Sequence, residues 1–261
     1  MPTSRLRVVS LDRVEEEASH TKTFYFRADF DAKPGQFIMV WIPGVDEVPM
    51  ALSQLGPIKA VTVRNVGVST EALHGLKEGD AIGFRGPMGN SFDLSRERYL
   101  LAAGGTGLAS LITAGESLAE AGKKVVTVAG ARTKDDLILL ARARKCGEIF
   151  IATDDGSMGY HGFVPDLVLN LLEERRFDGV LSCGPEKMLQ AMVEICHKQE
   201  KELQVSMERF MRCGIGLCGS CALDGYLVCL DGPIFRGEQL VGLRDFGAYR
   251  RDRAGRRVPI G

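Results

Sequence analysis

Four cysteines crowd together near the carboxyl end of the chain, Cys213, Cys218, Cys221 and Cys229, in the pattern C-x4-C-x2-C-x7-C. Thiolates grouped this way read as metal ligands before they read as disulfides. C-x4-C-x2-C followed by a later cysteine is the plant-type [2Fe–2S] arrangement. Gly214, Gly216 and Gly219 let the loop take positive φ, so that backbone amides turn inward while the thiolates converge. The competing structural zinc site usually repeats short C-x2-C pairs, and only one such pair is present. The other three cysteines are scattered. Cys196 shares an apolar helical face with Met188, Leu189, Met192 and Val193, Cys146 has no partner pattern, and Cys183 ends an apolar strand.

A second feature is the turn Ala103-Gly104-Gly105-Thr106-Gly107-Leu108, set between an apolar strand and a helical stretch. The pyrophosphate of a dinucleotide docks at such a place, on the helix N-terminus. The turn is not a strict G-x-G-x-x-G, and taken alone it is equally a tight strand-to-helix connection. Thr153-Asp154-Asp155-Gly156 and Cys183-Gly184-Pro185-Glu186 follow two further strands. In a parallel sheet these carboxyl ends share one edge, where ligands bind, so Gly104, Gly105, Thr106, Gly107, Asp154, Cys183, Gly184 and Pro185 are candidate nucleotide contacts. Arg132 and Lys134 follow the second strand, where the adenine ribose would lie. Two cations there would suit a 2′-phosphate, which keeps NADPH open beside NADH.

The elements that must position these groups divide the chain into three. Residues 1–96 carry short apolar runs at 6–11, 23–26, 36–42, 60–66 and 81–84, separated by turns such as Pro34-Gly35, Gly79-Asp80 and Gly86-Pro87, which suggests a small all-β barrel or sandwich. Residues 97–207 alternate strand and helix and predict a doubly wound parallel sheet with helices on both faces. Within it, Thr133 and Asp136 read as the cap of a helix over 135–145. Residues 208–261 are rich in Gly and Cys, with too little apolar periodicity to make a core without metal.

Composition narrows the classes. Lys+Arg is 33 against 34 Asp+Glu, which argues against a nucleic-acid binder. The uncharged stretch 100–115 is short for a membrane span and broken by glycines, and the N-terminal residues carry no long apolar segment. A cytoplasmic location, with no membrane and no nucleic acid, is the expectation. Glycine is abundant, at 31 of 261 residues, as expected of many tight turns and close approaches to ligands.

The first two segments resemble the ferredoxin–NADP reductase superfamily. Pro34-Gly35-Gln36-Phe37, Gly86-Pro87-Met88-Gly89 and Gly67-Val68-Ser69-Thr70 are similar to turns of its flavin half, and Cys183-Gly184-Pro185 to the C-G-P near the nicotinamide. The order of flavin barrel, nucleotide domain and C-terminal cysteine cluster, with Glu208-Arg209-Phe210-Met211-Arg212 leading into it, resembles the electron-transfer subunits of dihydroorotate dehydrogenase B. The resemblance implies three domains: an FAD-binding antiparallel β-barrel at 1–96, an NAD-binding domain at 97–207 and a [2Fe–2S] domain at 208–261. It implies FAD contacts at Pro49, Met50, Ala51, Leu52, Ser53, Thr62, Val63, Arg64, Gly67, Ser69 and Thr70. One motif departs: where the family carries R-P-x-S, this chain has Val48-Pro49-Met50-Ala51, without the arginine and the hydroxyl. Neutralisation of the pyrophosphate then falls to amides at Ser69 and Thr70 and to a cation such as Arg64.

The expected activity is electron transfer between NAD(H) and a partner through FAD and the cluster. By the same resemblance the partner is an FMN-containing dihydroorotate dehydrogenase catalytic subunit of pyrimidine biosynthesis, in a heterotetramer of two plus two. NADH is favoured over NADPH by resemblance alone. No general acid or base is required, and the four histidines are scattered. The alternatives are an electron-transfer subunit of another flavin and iron–sulfur complex (a ferredoxin:NADP oxidoreductase, a sulfide dehydrogenase or a hydrogenase diaphorase) and a zinc-stabilised binding module.

Overall fold

The computed structural model describes residues 5–260; residues 1–4, part of the N-terminal stretch read above, and Gly261 lie outside that range. The first sheet is assembled from β1 (Arg7–Ala18), β2 (Thr21–Arg27), β3 (Phe37–Ile42), β4 (Asp46–Ala51), β5 (Ile58–Arg64) and β6 (Ala81–Met88), with the short helix α1 (Val68–His74) between the last two. All its pairings are antiparallel, in the order β4-β3-β6-β1-β2-β5. Alternation explains its interior. Phe24 and Phe26 leave β2 on the same side, and with Ile38, Val40, Val61, Val63 and Phe84 they fill one core. Just past β4, Ser53 N–H donates to Ala60 O at 2.8 Å and Gln54 bridges to Ala60, so the two outer strands meet and the sheet closes as a barrel.

The apolar runs of the sequence do not include β4. Every residue of this strand is half-buried, so it shows no alternation, and Pro49 breaks the strand pattern. A proline is tolerated there because β4 ends the ladder order. The stretch Gly67-Val68-Ser69-Thr70 enters α1, with Gly67 as its cap residue.

The second sheet is parallel. It contains β7 (Arg98–Gly104), β8 (Lys124–Ala131), β9 (Glu148–Thr153), β10 (Tyr160–His161), β11 (Gly179–Cys183) and β12 (Leu203–Ser206). The helices are α2 (Gly107–Glu120), α3 (Leu140–Cys146), α4 (Val164–Glu174) and α5 (Glu186–Lys198). The order β10-β9-β8-β7-β11-β12 reverses direction at β7, the switch point of a doubly wound fold. One core lies under α2 and α3, the other under α4 and α5, so both faces are covered.

The helix expected over 135–145 is corrected. Residues 134–136 form a single 3₁₀ turn, Leu137 is extended, and α3 begins only at Leu140. Ile138 and Leu139 are buried, and seating both in the core that α2 also covers draws the chain out of helical geometry, with Leu139 at φ 53°. Thr133 stands just before the 3₁₀ turn and makes no side-chain capping hydrogen bond to it.

The remaining chain forms β13 (Ala222–Leu223), β14 (Tyr226–Leu227), α6 (Val228–Asp231), β15 (Ile234–Arg236), α7 (Gly237–Leu240) and the hairpin β16 (Tyr249–Arg251) with β17 (Arg257–Pro259). β15 pairs antiparallel with β12 and becomes the seventh strand of the second sheet. Among the described residues no helix is long and apolar enough to cross a membrane.

Candidate functional site

The cysteine loop turns on glycines. Gly214, Gly216 and Gly219 have φ of 70°, 80° and 69°, the left-handed region where a side chain would be strained. These turns aim amides at sulfur. Ile215 N–H and Leu217 N–H donate to Cys213 Sγ at 3.5 and 3.3 Å, Gly216 N–H to Cys229 Sγ at 3.2 Å, and Cys229 N–H to Cys221 Sγ at 3.4 Å. Cys221 Sγ and Cys229 Sγ are 3.4 Å apart. Inward amides favour thiolate over thiol at Cys213, Cys221 and Cys229, while burial, acting against them, pushes the Cys229 thiol up to about 12; bonding to iron would supply the remaining drive to the thiolate form. Cys221 and Cys229 are buried, whereas Cys218 is exposed. Burial pushes Cys218 up, but hydrogen bonds to Ser220 and Cys213 outweigh it and settle the thiol at about 6. Leu217 is 80% exposed and Leu230 59%, so the loop ends in an apolar rim.

The other cysteines stand apart from this loop. Burial pushes the Cys146 thiol up to about 11 and those of Cys183 and Cys196 to about 12. All three are buried and protonated at neutral pH.

At the carboxyl edge of the parallel sheet the turn after β7 meets the turn after β11. Gly105 N–H donates to Gly130 O at 2.7 Å, which fixes the glycine turn to the end of β8. Gly104 faces Pro185 and Met188, and Gly107 faces the backbone of Cys183 and Gly184. Gly104, Gly107, Cys183, Gly184 and Pro185 are therefore brought together. Asp154 stands farther along the same edge, its N–H donating to Ala131 O at the end of β8. Glu208, which no sequence motif marks as a ligand contact, places Oε1 4.0 Å from Cys183 Sγ. Its signal was available: it follows β12 at the same carboxyl edge.

On the barrel, Ser53 and Thr62 are neighbours. Their hydroxyl oxygens are 2.9 Å apart, Thr62 is 2.8 Å from Thr23, and Thr23 Oγ1 donates to Glu17 Oε1 at 2.8 Å. Leu52 and Val63 send their side chains into the barrel core, which leaves only their backbone for a ligand. Thr70 Oγ1 accepts the amides of Val66 and Gly67, and Ser69 Oγ donates to Asp46 Oδ2. Arg64 lies 3.9 Å from Asp136 of the nucleotide domain. A residue the sequence did not single out, Arg142 on α3, spans the two domains: Nη2 donates to Ser53 O at 2.8 Å, and the guanidinium forks onto Glu116.

Two arginines tie the cysteine-bearing segment to its neighbours. Arg209, with a side chain 2% exposed, pairs with Glu186 beside the Cys183-Gly184-Pro185 turn, and Glu186 also accepts Gly247 N–H. Arg85 on β6 pairs with Glu47 on β4 and donates to the carbonyl of Cys213. The hydrogen bond to Glu47 holds the Arg85 guanidinium above its usual range.

Comparison with known proteins places this geometry in context. Residues 208–241 match the family model described as the iron-sulfur cluster binding domain of dihydroorotate dehydrogenase B. The chain is 44% identical over 253 residues to a protein of Methanocaldococcus jannaschii named "Probable dihydroorotate dehydrogenase B (NAD(+)), electron transfer subunit", covering 96% of this chain and 97% of that one. A protein of the same name from Pyrococcus horikoshii is 45% identical over 248 residues, covering 94% and 96%. Among solved structures, a chain of the NADH-dependent reduced ferredoxin-NADP oxidoreductase superposes with a TM-score of 0.81 at 31% identity, covering 89% of each chain. The Amycolatopsis cytochrome P450 reductase GcoB shares the fold, with a TM-score of 0.66 at 22% identity over 74% of this chain and 66% of that one.

Proposed function

This chain belongs to the family of electron transfer subunits of dihydroorotate dehydrogenase B, and from that membership we propose that it carries electrons between NAD(H) and a catalytic partner subunit by way of FAD and a [2Fe–2S] cluster. Bound together, the three groups supply the conversion of a two-electron hydride donor into single-electron steps. Cys213, Cys218, Cys221 and Cys229 hold the irons, and the amides of residues 215–217 and 229 offset the charge on three of the sulfurs. The turns at 104–107 and 183–185, with Asp154, hold the dinucleotide. Glu208 flanks the nicotinamide end beside Cys183. Pro49, Met50, Ala51, Leu52, Ser53, Thr62, Val63, Arg64, Gly67, Ser69 and Thr70 line the flavin. Arg142 keeps the two binding regions in register by tying Ser53 to α2 and α3.

The partner carries FMN and oxidises dihydroorotate to orotate, in an assembly of two copies of each subunit. A cluster held at the exposed Cys218 would lie nearest the surface there, where Leu217 and Leu230 offer an apolar patch for the partner. Identity of 44% to the dihydroorotate dehydrogenase B relatives, against 31% to the ferredoxin-NADP oxidoreductase chain, favours this partner over another flavin and iron–sulfur complex.

The observation that carries the proposal is the set of inward amides around the cysteine sulfurs. The purified chain, reconstituted with iron and sulfide, is expected to be yellow-brown, to hold two irons, and to bleach when NADH is added. Co-purified with the catalytic subunit, it is expected to couple dihydroorotate oxidation to NAD+ reduction. Colourless protein holding zinc would overturn the cluster and with it the function.

A further inference from the structure

Cys213 is the cysteine of the loop that meets the barrel. Its neighbour Gly214 lies against β3 and β6, where a Cβ would come within 2.7 Å of Met88 Sδ and 2.9 Å of Met39 Cγ. Beside it stands Arg85. Its Nε reaches Glu47 Oε1 at 2.7 Å, its Nη2 reaches Glu47 Oε2 at 2.6 Å, and the same Nη2 donates to Cys213 O at 3.2 Å. The side chains of Arg85 and Glu47 are only 15% and 24% exposed, so water screens them incompletely. A planar fork held at two oxygens leaves the guanidinium little freedom, which fixes where its charge sits. Glu47 in turn belongs to β4, the strand that runs on to Pro49 and Ala51.

We propose that Arg85 is a positioning residue for the iron–sulfur cluster, anchoring Cys213 to the barrel, and that its positive charge, offset by Glu47, sets the potential at which the cluster accepts an electron. The proposal rests on Cys213 being an iron ligand. Reduction adds one electron to the cluster and changes no bond and no proton at Arg85 or Glu47. The added negative charge is favoured by a nearby cation and opposed by a nearby carboxylate, since cluster potential follows local charge. The two members of the pair therefore act on the potential in opposite directions, which packing alone cannot do.

The test is a redox titration of the iron-loaded protein, followed by the electron paramagnetic resonance signal of the reduced cluster, with iron content measured in parallel. Arg85→Gln is expected to lower the midpoint potential and Glu47→Gln to raise it. Arg85→Lys, which keeps the charge, is expected to restore most of what Arg85→Gln loses. The double variant R85Q/E47Q is expected to return toward the wild-type value because the removed charges cancel. If Arg85→Gln fails to hold iron, the sign of the Glu47→Gln shift decides. Unchanged potentials, or single variants that shift in the same direction, would overturn the proposal while leaving the cluster in place. Wild-type protein that retains FAD but no iron would overturn the ligand assignment and this proposal together.

Discussion

Gly107 and Cys183 touch backbone to backbone: a Cβ on Gly107 would stand 2.1 Å from Cys183 O and 2.9 Å from Gly184 N. The first helix of the parallel-sheet domain thus starts directly against the end of β11, and the two turns proposed to hold the dinucleotide are separated by no side chain. Gly107→Ala is expected to force them apart. Overpacking of this kind costs about 1–3 kcal/mol, and NADH affinity is expected to fall at least tenfold. Thermal unfolding and fluorescence titration with NADH check both effects. Unchanged NADH binding in a folded Gly107→Ala protein would show that these turns do not form the nucleotide seat.

Removing the metal should unmask one cysteine ahead of the others. Cys218 is exposed and its thiol is held at about 6, whereas the buried Cys146, Cys183 and Cys196 sit at about 11 to 12. The thiolate is the form that reacts. After chelation, brief iodoacetamide treatment at pH 7 is expected to label Cys218 first and to leave those three unlabelled, as read by peptide mass spectrometry. The iron-loaded protein is expected to resist labelling at Cys218.

Arg142 joins α3 to the barrel through Ser53 O and is braced by Glu116. With the pair partly open to water, Arg142→Met is expected to cost about 1–2 kcal/mol, below the full range for hydrogen bonds to charged groups. Slower bleaching of bound flavin by NADH is the expected functional counterpart, with FAD content unchanged. Stopped-flow absorbance, set beside the melting temperature, separates the two effects.

Alkali should loosen the barrel at one identifiable group. Tyr25 Oη donates to Glu15 Oε2 at 2.9 Å, and burial, then that bond, pushes the phenol from 10.0 up to about 12. The folded protein keeps the proton that the unfolded chain releases at 10. The stabilisation is therefore complete below pH 10, declines as pH rises from 10 toward 12, and is absent above. Melting temperatures measured across that window are expected to fall less steeply for Tyr25→Phe than for the wild type.

What could be read in the sequence was encoded locally. The spacing of Cys213, Cys218 and Cys221 lies within one loop, and the alternation of strand and helix from β7 to β12 is repeated often enough to define the parallel sheet. β4 escaped because a uniformly half-buried strand has no period to detect and carries Pro49. The 135–145 helix does not form because the burial of Ile138 and Leu139 in the core overrides the capping signal at Thr133. Arg142 and Arg85 escaped for another reason: they reach Ser53 and Cys213 from 89 and 128 residues away, and no local pattern marks a side chain whose partner is so distant.

The antiparallel pairing of β15 with β12 has a consequence for engineering. A short insert that carries metal ligands is often regarded as a cassette, to be cut out and grafted elsewhere. Here, Gln204, Val205 and Ser206 are stitched to Arg236, Phe235 and Ile234, and Phe235 is fully buried. Excision would strip the nucleotide sheet of its last strand and open its edge to other chains. Chimeras between relatives should therefore exchange β12 and β15 as one piece.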